Sequence, residues 1–262
     1  GNIYTPYARF APWLAADPAG LVERGDIGPQ TLQRSNGLIP WESNYRYLFK
    51  KYCELRTESD LIILELGDFS RLEALKPYLF DQQVSTEKQR LFSRLEQFLQ
   101  ELWLVPDWEE ELLILVSPTP SSAALKTGNT LTPLLFWGKG MKPGFLTSPT
   151  TRHPGLVANL DLAPTILQFF GVNIPAYVSG RPITCTATGN LEALLRINQR
   201  LVRTSLFRRQ TIPLFLNFTA LALPLLLALY LILPKLELPA SAATYPWWYD
   251  SMYFLSILPL SL

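Results

Sequence analysis

The chain has 262 residues, a formal net charge of +1 and a hydrophobic content of 48%. A net charge of +1 argues against a nucleic-acid partner, which normally demands a basic domain or stripe, so none is expected. Two cysteines, Cys53 and Cys185, are too few for a disulfide framework or a cysteine-based metal site.

In chain order, residues 1–59 are rich in Pro, Gly, Tyr and Arg and show no clear periodicity. The sequence opens on Gly1 without a methionine, and we expect a fragment whose amino-terminal half lies upstream. DLIILEL (60–66) is a short apolar run bounded by turn residues, which predicts a buried strand. STEKQRLFSRLEQFLQELW (85–103) places Leu91, Phe92, Leu95, Phe98, Leu99 and Leu102 on one helical face, and Thr86 with Gln89 has capping-box spacing. ELLILVS (111–117) predicts a second buried strand. Strand, helix, strand then implies a right-handed crossover with parallel strands. Their carboxyl ends, at Gly67-Asp68 and Ser117-Pro118-Thr119, would share one ligand-binding edge.

TPLLFWGKG (132–140) predicts a third strand. Beyond it lies GFLTSPTTRHPGLVANLDLAPTIL (144–167), which holds His153, the only histidine in the chain. A helix is predicted from Leu162 to Phe170, with Asp161 as its cap, Pro164 tolerated in its first turn and Gly171 as its terminator. Thr150, Thr151 and Arg152 offer two hydroxyls and a guanidinium, a candidate anion-binding loop or an ordinary turn.

Residues 189–210 read as a basic amphipathic linker helix carrying Arg196, Arg200, Arg203, Arg208 and Arg209. Residues 211–234 hold no charged side chain and are long enough for a transmembrane helix, making the lipid bilayer an expected partner and the cell membrane the expected location. Residues 246–262, with Trp247, Trp248 and Tyr249, read as the start of a second span at an aromatic interface. The arginines before the first span favour a cytoplasmic side, and an outward-facing soluble domain stays open beside it.

The ordered run from Thr132 to Ile183, including TPLLFWGKGMKPG and NLDLAPTILQFFGVNIPAYVSGRPI, resembles the carboxyl-terminal half of the alkaline-phosphatase-like superfamily. That group includes cofactor-independent phosphoglycerate mutases, sulfatases and phosphoethanolamine transferases. The resemblance implies an α/β three-layer sandwich with a largely parallel sheet over residues 1–188. It also implies a Ser or Thr nucleophile, here upstream, and two divalent metals (Zn, Mn or Mg) acting on a phosphate- or sulfate-ester substrate. Asp68, after the first strand, matches a metal-binding aspartate or else a turn former, and His153 is a displaced-ligand candidate. Where relatives with intact metal sites carry Asp-His-Gly, this chain has Ser117-Pro118-Thr119-Pro120. Three readings therefore stand: a membrane-anchored hydrolase or transferase, a non-catalytic tethered binding or assembly module, and an accessory to a transporter.

Overall fold

A computed structural model describes residues 11–17, 19–186 and 190–232. The chain divides into two compact units, Gly1–Val202 and Arg203–Leu262.

The first unit opens with a short helix α1 (Ala11–Ala15) and a hairpin of β1 (Leu32–Arg34) and β2 (Trp41–Ser43), paired antiparallel with Gln33 opposite Glu42. Helix α2 (Tyr45–Leu55) follows at once, because the Asn44 side chain accepts the Tyr47 N–H at 3.2 Å and satisfies an otherwise orphaned donor. Tyr45, Leu48 and Tyr52 then recur on its buried face. Both elements lie in the stretch that showed no clear periodicity.

Helix α3 (Asp68–Leu75) leads to the long helix α4 (Asp81–Trp103). α4 begins four residues earlier than predicted. Its start is fixed by Gln83, whose Oε1 accepts the Phe80 N–H at 3.0 Å, and Thr86 instead donates to the Gln82 carbonyl inside the helix. Leu91, Phe98 and Leu102 are buried as the helical face requires, whereas Phe92 is 53% exposed.

Two apolar clusters organise this unit. Tyr45, Leu48, Tyr52, Phe98 and Leu102 form one, with Tyr45 and Phe98 rings 5.1 Å apart; Ile39, Leu72 and Leu91 form the other. Ile62, Leu64 and Leu66 pack on the first cluster. Their alternation is that of a strand, yet residues 60–66 join no ladder. The run is extended and packed on one side without a neighbour for its backbone.

β3 (Leu112–Val116) and β4 (Leu134–Gly138) form where predicted, but they pair antiparallel, Ile114 opposite Phe136. The short helix α5 (Ser122–Lys126), capped by the Ser121 hydroxyl, sits in a connection that reverses the chain instead of carrying it across the sheet. β5 (Phe145–Thr147) likewise pairs antiparallel with β6 (Thr184–Thr186). Among the described residues the sheets are three separate two-stranded antiparallel ladders. This corrects the expectation of a three-layer sandwich with a largely parallel sheet: the architecture is mixed helices with small antiparallel sheets. At the end of α4, Trp103 stacks on Trp108 and on Trp137 of β4, with centroids 4.8 and 4.6 Å apart.

Helix α6 (Leu162–Phe169) contains Pro164 in its first turn, and Gly171 follows it with φ +68°, the left-handed conformation that closes a helix. Helix α7 (Leu191–Ile232) joins the predicted linker and the predicted span into one continuous helix containing Pro213 and Pro224. It is the one helix among the described residues long and apolar enough to cross a membrane, and none of its most apolar window is buried. The predicted second span, 246–262, lies outside the described residues, as does the end of the first.

Candidate functional site

Among the described residues the polar chemistry of the first unit gathers at four buried carboxylates, Asp68, Glu42, Glu87 and Asp161, and one open groove. Asp68 opens α3, and a carboxylate in a helical first turn is favoured by the helix dipole. It is fully buried. Its Oδ1 accepts the Ser43 N–H at 2.7 Å and the Arg71 guanidinium at 2.6 Å, while Oδ2 accepts the Tyr45 hydroxyl at 2.8 Å. Arg71 also donates to the Ser43 hydroxyl at 3.1 Å. Gly67 has no side chain because a Cβ there would stand 2.8 Å from the Arg71 guanidinium. Burial, and then the Asp68 charge, push the Tyr45 phenol far above its ordinary range, so it stays a neutral donor. The cluster ties β2, α2 and α3 together.

Next to it in sequence, Glu42 is also buried. It accepts from Gln33 at 3.0 Å, Ser35 at 3.1 Å, Arg90 at 3.0 Å and Arg94. Arg90 continues to Glu87 at 2.7 Å. Burial raises both carboxyls, but hydrogen bonds outweigh it and hold them below their ordinary values: Gln33 and Arg90 for Glu42, Arg90 for Glu87. This ionic chain clamps the β1–β2 hairpin onto α4.

Asp161 is buried as well. Its predicted role as a side-chain cap of α6 is not what the geometry shows, since the side chain turns away from the helix amides. Oδ2 accepts the Ser148 hydroxyl at 2.6 Å and the Ala158 N–H at 2.9 Å; Oδ1 accepts the Thr150 hydroxyl at 2.6 Å and the Arg181 N–H at 2.9 Å. Burial raises this carboxyl, but the Ser148 and Thr150 hydroxyls and the two N–H groups lower it further, leaving it below the ordinary value. One carboxylate thereby joins three loop segments. The Thr165 hydroxyl extends the network, donating to the Asp161 carbonyl and accepting the Ile183 N–H at 2.9 Å.

Above Asp161 lies an open groove of about 770 Å³, lined by Thr150, Arg152, Ile174, Ser179 and Arg181 among others. Arg152 has φ +57°, a left-handed backbone for a residue that is not glycine, held by its N–H to the Ser148 carbonyl at 2.9 Å. Gly180, with φ +92°, permits the opposite wall: a Cβ there would meet the Leu160 carbonyl oxygen at 2.4 Å. Among the described residues neither Arg152 nor Arg181 pairs with a carboxylate, and no carboxylate side chain lines the groove.

The predicted site residues are distributed accordingly. Thr150 and Arg152 line the groove, but the Thr150 hydroxyl proton points to Asp161 and that of Thr151 to the Leu156 carbonyl. Arg181 joins Arg152, a residue the sequence reading missed. Asp68 and His153 are not brought together: Asp68 has partners only from β2, α2 and α3, while His153 is exposed in the loop after β5. Both Asp68 oxygens already accept protein donors, one of them a guanidinium. Among the described residues no group of three or more His, Cys, Asp or Glu side chains is placed to hold a metal ion. Compared with known protein families, curated proteins and solved structures, the chain matches none.

Proposed function

We propose that this chain is a membrane-tethered, non-catalytic binding module. The observation that supports it is the state of the carboxylates: Asp68, the candidate metal ligand, accepts protein donors on both oxygens, and so does Asp161. Such carboxylates tie segments together: protein donors take three of the roughly four acceptor sites of Asp68 and four of those of Asp161.

The tether is α7. Leu214, Phe218, Leu221 and Leu225 are each more than half exposed, which supports a lipid-facing segment. From Thr211 to Ile232, the end of the helix, it extends roughly 33 Å at about 1.5 Å per residue, against a hydrocarbon core of roughly 30 Å. Arg208 and Arg209, just before it, favour a cytoplasmic position for the soluble unit.

The test is made on the full chain expressed in cells. Resistance of the membrane-bound protein to alkaline carbonate extraction is expected, and Leu221→Arg should release it, because an arginine at mid-span costs about 3 kcal/mol. With Zn, Mn or Mg, chromogenic phosphate and sulfate esters should not turn over. Metal-dependent cleavage lost in Asp68→Asn at unchanged melting temperature would restore the hydrolase reading.

A further inference from the structure

We infer that α7 pairs with the α7 of a second copy of this chain inside the bilayer, through the face that carries Asn217. The inference deepens the reading of the chain as a tethered binding module, and rests on it, by naming a partner that the tether itself takes.

The observation that leads there is an unmet amide. Among the described side chains of the apolar segment 211–228, the polar ones are Thr211, Asn217 and Thr219. Both threonine hydroxyls are satisfied within the helix, Thr211 donating to the Phe207 carbonyl at 2.7 Å and Thr219 to the Phe215 carbonyl at 3.0 Å. Asn217 is exposed, and its carboxamide has no hydrogen-bond partner among the described residues. It lies about 9 Å past Thr211 at about 1.5 Å per residue, at a depth where a bilayer offers no water to replace a missing partner.

A second unfilled group stands near it. Pro224, inside the helix, has no N–H for the Ala220 carbonyl, which therefore lacks the donor an α-helix would supply. At about 100° per residue, Asn217, Ala220, Leu221, Pro224 and Ala228 fall on one side of α7, and all five are exposed. Phe215, Thr219, Ala222 and Leu226 fall on the opposite side and are half-buried. The open side of the helix is thus the side with the unmet hydrogen bonds.

The occupant that fits is the same helix from another copy. Lipid tails carry neither donors nor acceptors, so a covering of lipid leaves the amide unmet. A carboxamide carries both, so two Asn217 side chains complete one another, and the spare N–H of each suits the Ala220 carbonyl one turn on. Two copies inserted in the same direction are related by a two-fold axis that sets each such residue against itself. Ala220 and Ala228 are small enough for the two backbones to approach, as polar contacts between membrane helices need. No charged side chain occurs from Thr211 to Ile232 to oppose the pairing.

The experiment uses the full chain carrying Cys53→Ser and Cys185→Ser, in phosphatidylcholine vesicles. Protein labelled at its amino terminus with donor or acceptor dye should show energy transfer that saturates with the protein-to-lipid ratio and falls when unlabelled protein is added. Asn217→Leu should weaken the association about fivefold to thirtyfold, whereas Asn217→Gln keeps the carboxamide and should retain most of it. With copper phenanthroline in air, Ala220→Cys should form a disulfide between chains and Ala222→Cys should not. Monomers at every ratio, energy transfer unchanged by Asn217→Leu, or crosslinking at position 222 in place of 220 overturns the inference. Carbonate extraction is read on the same proteins. Resistance without pairing sinks the pairing alone, whereas extraction of the wild type sinks the tethered-module reading and the pairing with it.

Discussion

The Asp161 carboxylate accepts the backbone N–H of Arg181 at 2.9 Å, so a fully buried acid fixes the main chain of an exposed base. Arg181 lines the groove, and its position depends on a residue twenty positions earlier.

Asp161→Asn retains the shape but turns an acceptor into a donor facing two of the four groups now bonded to it. We expect a loss of about 3 kcal/mol of stability, in line with hydrogen bonds to a buried charge. Denaturant unfolding of the protein in micelles measures it, and protection of the Arg181 and Ala158 amides from hydrogen exchange should fall with it.

Arg71→Met should be as costly for a different reason. It leaves the Asp68 carboxylate buried with its cation gone, a situation worth about 3–5 kcal/mol. The paired change Asp68→Asn/Arg71→Met is expected to recover part of that loss, and a double-mutant cycle on melting curves reads the coupling.

Acid should unfold the first unit. Asp161, Glu42 and Glu87 have folded values below their ordinary 3.8, 4.5 and 4.5. In the window between folded and ordinary values the unfolded chain binds more protons, so stability rises with pH there. The contribution is fully present above about pH 5 and is lost as pH falls through the ordinary values and then the lower folded ones. Thermal melts at neutral pH and at successive acid steps should show a falling midpoint starting below about pH 5.

Gly180→Ala places a methyl group against the Leu160 carbonyl oxygen at 2.4 Å in a backbone with φ +92°. Backbone cannot move aside as a flexible side chain does, and a cost of about 2–4 kcal/mol is expected. Thermal melts of the variant beside the wild type measure it.

Local signals in the sequence carried far, and long-range ones did not. The β3 and β4 runs, the face of α4, Pro164 in the first turn of α6 and Gly171 at its end are each written within a few neighbouring residues. The hairpin and α2 were equally local and were missed: Asn44 as cap and Tyr45, Leu48 and Tyr52 as a helical face were there to be found. Strand direction was not legible, since antiparallel pairing of Ile114 with Phe136 depends on how the α5 connection folds. The groove was half legible. Arg152 stood out beside His153, but Arg181 joins it only through Asp161, and no spacing rule links those positions. The roles of Asp68 and Asp161 misled because an aspartate after an apolar run suits a metal ligand, a cap or a buried tie, and only its donors decide among them.

The tryptophan stack at the end of α4 makes the protein its own spectroscopic probe. Trp103, Trp108 and Trp137 have centroids within 5 Å along the stack, close enough for their electronic transitions to couple. The Trp103–Trp137 part of that coupling requires the β3–β4 ladder to be seated on α4, whereas isolated indoles report only their local surroundings. Its disappearance on heating would time the departure of that ladder separately from the melting of the helices.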